Sequence, residues 1–132
     1  MSNAPDAPNP FLFSKDPAAY RAEGAFVARI PAKARGKEKL LSVLAAKLRF
    51  PSYFGHNWDA LEECLRDLSW LGQQSRVVIL HEAFPFSSAG DSLAIYEGIL
   101  ADAVAVHRQR GTPPLLEVVF PHPSVDNATR RL

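Results

Sequence analysis

Apolar residues recur along this chain at two different spacings, and the switch between them outlines its elements. Residues 25–30, Ala-Phe-Val-Ala-Arg-Ile, form a short run ended by Pro31, which predicts a first strand. Leu40, Leu41, Leu44 and Leu48 then repeat at three- and four-residue steps, predicting a helix over 36–48. A turn across Pro51 to Gly55 leads into a second helix over 57–68, with Asn57 as its N-cap. Arg-Val-Val-Ile-Leu at 76–80 is short and β-branched, the pattern of a strand covered on both faces. A long helical stretch follows from about Ser88 to Arg110, closed by Gly111. Leu-Leu-Glu-Val-Val-Phe at 115–120 is the third strand. Strands separated by helices pair in parallel through crossover connections. The expected fold is therefore a single α/β domain: a small three-stranded parallel sheet packed with helices.

The ends read differently. Residues 1–22 hold Pro5, Pro8, Pro10 and Pro17, which exclude a regular helix and predict an extended, Pro-rich N-terminal extension. The domain is expected over 23–120, and residues 121–132 form a C-terminal tail with Pro121, Pro123 and Arg130-Arg131.

Charge matters most on the second helix. At about 100° per residue, Trp58, Leu61, Cys64, Leu65 and Leu68 fall on one side. Asp59, Glu62, Glu63, Arg66 and Asp67 fall on the other, four acids against one base. The whole chain carries a formal charge of +1, so this acidity is local. It marks a surface offered to something positive. Glu62 and Arg66 form an i,i+4 pair that supports a solvated helix by itself. Asp59 sits where the helix dipole already favours an acid. Glu63 and Asp67 repel one another at the same spacing, so helix stability does not account for Glu63. Gly55 is expected to allow a backbone conformation barred to other residues.

Composition narrows the function classes. A pI near 7.9 lacks the basic stripe of a dedicated nucleic-acid binder. No apolar run approaches the roughly 20 residues of a membrane-spanning helix. The N-terminus lacks the basic-then-apolar layout of a signal peptide, and the lone Cys64 suits a reducing compartment. A cytoplasmic protein is expected. His56, His81, His107 and His122 have no metal-ligand spacing, and no Gly-rich phosphate loop occurs, so neither metal nor cofactor is expected. His81-Glu82, at the end of the second strand, is the one candidate for catalysis, because α/β folds often bind ligands there.

The window Pro51-x-Tyr53-Phe54-Gly55-x-Asn57-Trp58-Asp59-Ala60-Leu61-x-Glu63-Cys64-Leu65 resembles the signature turn and inhibitory helix of the barstar family, the intracellular inhibitors of bacterial ribonucleases. The element order over about residues 24–120 is similar too. The resemblance implies a non-enzymatic inhibitor, monomeric when free, that binds a basic ribonuclease and blocks its active site. It places Glu63 at the dominant acidic contact, Asp59 at the preceding one and Tyr53 at an aromatic contact. Gly55, Asn57, Glu62 and Asp67 complete the expected nuclease-binding set. This chain departs from the pattern on the acidic helix and near the end of the long helix, where Val106 and His107 lie about where the family can supply another acid. Glu63 stands for an Asp, Glu62 for an aromatic residue, and Arg66 adds a positive charge. An immunity or regulatory module for a partner other than a ribonuclease is the alternative.

Overall fold

The computed structural model describes residues 10–122. The expectations for residues 1–9 and 123–132 lie outside those residues. Four strands, β1 (Phe11–Ser14), β2 (Phe26–Ile30), β3 (Arg76–His81) and β4 (Leu115–Pro121), pair in parallel in the order β1-β4-β3-β2. Three helices accompany them: α1 (Lys37–Lys47), α2 (Trp58–Asp67) and α3 (Ser92–Arg110). Short 3-10 turns occupy Pro17–Ala19 and Ser69–Leu71.

The sheet has four strands, not three. The additional one, β1, lies in the segment expected to be an extended lead-in. It pairs Phe11 with Val118 and Phe13 with Phe120 at the edge of the sheet. An edge strand needs partners on one side only, so four residues between Pro10 and Lys15 suffice. The flanking prolines mask it in the sequence. The other strands and the first two helices lie within two residues of their expected ends. The long helix starts at Ser92 rather than Ser88, because Ser88 to Asp91 make turns, with the Ser87 hydroxyl accepting the Ala89 N–H.

Handedness explains how the layers are arranged. From β2 to β3 to β4 the chain moves one way across the sheet, so right-handed crossovers place the intervening helices on one face. There Leu40, Leu41 and Leu44 of α1, Leu61 and Leu65 of α2, and Tyr96, Leu100 and Val104 of α3 pack on Ile30, Val77, Ile79, Val118 and Phe120. From β1 to β2 the chain moves back the other way. The same rule sends residues 15–25 across the opposite face, where Tyr20, Ala22, Ala25 and Val27 cover Val78, Leu80 and Val119. β3 is thus buried on both sides, as its apolar run predicts.

The apolar side of α2 is committed to this core. Leu61, Leu65 and Leu68 have no exposed surface, and Cys64 retains only 5%. Each buried leucine contributes about 1.5–3 kcal/mol from area removed from water. The acidic side therefore faces solvent because the apolar side is fixed.

Candidate functional site

Local chemistry sets the start of α2. The Asn57 side chain accepts the Ala60 N–H at 2.8 Å and donates to the Gly55 carbonyl at 3.3 Å, tying the turn to the helix. Gly55 itself is not in the left-handed region; His56 is, at φ 53°. The need for glycine is one of space. A Cβ at residue 55 would meet Asn57 Nδ2 at 3.2 Å and Ala60 Cβ at 3.8 Å. This corrects the expectation of a special backbone conformation. Removing the cap is expected to cost about 1 kcal/mol. Asn57→Ala should show that loss in urea unfolding, and an unchanged midpoint would mean the cap is redundant.

The turn divides its aromatics. Phe54 is buried, packed edge-on to Phe50 with centroids 4.8 Å apart, while Tyr53 is 76% exposed. Trp58 is half-buried against Phe86 and Tyr96, with Lys37 above its ring at 5.1 Å. Across the turn and α2, all seven residues expected to bind a nuclease come together. Tyr53, Gly55, Asn57, Asp59, Glu62, Glu63 and Asp67 line one shallow open groove, completed by Ala60, Arg66 and Arg110. Asp59, Glu63 and Asp67 are exposed; Glu62 is half-buried and pairs with Arg66 at 3.4 Å. Burial, joined by the negative charges of Glu63 and Asp67, pushes the Cys64 thiol up from its ordinary value, so it stays protonated.

Arg110 was not among the sequence candidates. It reaches the groove from the end of α3 and donates to the Arg66 carbonyl at 2.8 Å and the Asp67 carbonyl at 3.4 Å. One turn earlier, buried His107 donates to the Leu65 carbonyl at 2.7 Å. Helical spacing places both on one face of α3. Nothing in the spacing says which helix that face meets.

His81 is closed to a substrate. It has no exposed surface, its Nδ1–H donates to the Val119 carbonyl at 2.9 Å, and its Nε2 accepts from the Tyr96 hydroxyl at 2.7 Å. Its ring stacks on Phe120 at 4.2 Å. Burial lowers its pKa to about 4 and raises that of Tyr96. These are the properties of a neutral core histidine with both ring nitrogens satisfied. Among the described residues no group of three His, Cys, Asp or Glu side chains could hold a metal ion. Nor is any described helix long and apolar enough to cross a membrane.

The family model for Barstar (barnase inhibitor) matches residues 26–119. The chain belongs to the barstar family. No curated protein and no solved structure matches it significantly. The barstar match spans β2 to β4, so it takes in the groove, the Asn57 cap and the whole helical layer, and leaves β1 outside. In this barstar-family chain the groove carries four carboxylates and two guanidinium groups.

Proposed function

We propose that this protein is a stoichiometric inhibitor of a basic ribonuclease, binding through the groove of α2 and the preceding turn and covering the enzyme's active site. The observation that carries this reading is the convergence of Tyr53, Asp59, Glu63 and Asp67 on one groove whose supporting helix is anchored entirely from behind. A ribonuclease needs cations to hold phosphate and to stabilise the charge that develops on it. Carboxylates at fixed positions can take the place of those phosphates, and Arg–carboxylate pairs add geometric selectivity. Opposite charge also speeds encounter by steering. Glu63 is the central contact, Asp59 the second, and Tyr53 contributes apolar area at the rim.

The inhibitor acts in the cytoplasm, where a lone thiol stays reduced, and is a monomer until it meets its partner. The short β1 edge, with Pro10 before it and Lys15 after it, discourages strand pairing between copies.

Arg66 and Arg110 support a second reading. Two cations in the groove suit a partner whose surface is not purely basic, such as a toxin other than a ribonuclease, held by the same face. Titration separates the two. The purified chain should abolish RNA cleavage by barnase, or by another member of a panel of basic secreted ribonucleases, at one equivalent. Full activity of the whole panel under excess chain would overturn the ribonuclease reading and leave the second.

A further inference from the structure

We infer that His107 and Arg110, on the last turn of α3, are positioning residues for the acidic groove: they hold the C-terminal turn of α2, where Asp67 lies and which continues from Glu63. This inference rests on the inhibitor reading for its function.

The backbone accounting is complete. A helix leaves its last four carbonyls without an intrahelical partner among its own core residues. In α2 the Cys64 carbonyl takes the Leu68 N–H at 3.1 Å. The Leu65 carbonyl takes the His107 Nε2–H at 2.7 Å. The Arg66 and Asp67 carbonyls take the two arms of the Arg110 guanidinium at 2.8 Å and 3.4 Å. Three of the four are therefore served by side chains three residues apart on one face of α3. A carbonyl only accepts, so His107 carries its proton on Nε2. Burial lowers its pKa against the raising effect of the Leu65 and Pro114 carbonyls, which keeps the ring neutral.

The terminus has an unusual stop as well. Leu68 adopts a left-handed conformation, φ 51° and ψ 24°, where glycine is common, and it is fully buried. A non-glycine residue holds that geometry only when its surroundings over-determine it. The core below and the α3 donors above do so. With Leu68 anchored and three carbonyls tied, the last turn of α2 presents Glu63 and Asp67 at fixed positions.

Arg110 offers a test in which two roles predict opposite signs. As a mere charge in the groove it repels a cationic partner, and Arg110→Met would tighten binding. As a positioning residue it supports the carboxylates, and Arg110→Met should weaken inhibition of the ribonuclease about tenfold. Arg110→Lys should recover part of the loss. Arg66→Met is the comparison, because Arg66 lines the same groove but donates only to Glu62; loss of this bare charge should tighten inhibition. In the free protein, amide hydrogen exchange at Cys64 to Leu68 should accelerate in Arg110→Met while α1 amides keep their rates. Tighter or equal binding by Arg110→Met, or unaltered exchange in α2, overturns the inference. Absence of inhibition by the wild-type chain would instead overturn the inhibitor reading, and the exchange measurement would still report on the clamp.

Discussion

Glu63→Ala is expected to weaken the ribonuclease complex by about 3–5 kcal/mol, roughly two to nearly four orders of magnitude in affinity. The size follows from burial. A carboxylate that pairs with a desolvated cation leaves that cation uncompensated when it is removed. The free protein should not suffer, because Glu63 is exposed and lies one helical turn from Asp67. Relief of that like-charge contact gives about 0.2–0.5 kcal/mol back to the helix. Glu62→Ala is the internal control. Its carboxylate already has Arg66 at 3.4 Å, so its removal should cost little binding. Inhibition titrations read the affinities and urea unfolding reads the stabilities. Equal inhibition by wild type and Glu63→Ala would place the contact elsewhere.

Acid should destabilise the fold through His81, by about 3 kcal/mol between pH 6.5 and pH 4. In the folded chain His81 stays neutral until about pH 4, whereas an unfolded histidine takes up its proton near 6.5. Between those values the unfolded state binds more protons, so stability falls as pH drops through the window. Above it His81 contributes no pH dependence. His107, lowered by burial in the same direction, adds to the slope. Urea midpoints measured from pH 7 to pH 4 should decline, and His81→Gln should decline less steeply. Identical slopes for the two proteins would mean that His81 does not carry the linkage.

Most of the fold was legible because its elements bury apolar residues at regular spacing. The leucines of α1 and the Val-Val-Ile-Leu run of β3 leave few alternatives. The candidate groove was legible for the same reason: a helix anchored by Leu61, Leu65 and Leu68 must turn Asp59, Glu63 and Asp67 outward. β1 was not legible. Four residues on a sheet edge make no period, and the partner of Phe11 lies 107 positions away at Val118. Gly55 was recognised as necessary but for a different reason, since crowding by Asn57 is a tertiary fact that torsional preference does not reveal. Arg110 was invisible as a contributor because its partners are carbonyls 43 and 44 residues earlier, and backbone carbonyls leave no sequence signal.

The long reach of β1 also has a consequence for the order of assembly. During synthesis β1 leaves the ribosome before any other described element, yet the strand that receives it is the last to emerge. Contacts so distant in the chain form late, after the loop between them has closed. Phe11, which packs edge-on to Phe120 in the finished sheet, must therefore wait in solvent while β2, α1, α2 and β3 are made. The nascent chain can gather its helical layer and acidic groove first and complete its far edge last. A ribosome-bound chain stalled before Leu115 would hold α2 and the turn in front of it, with no strand ready to receive β1.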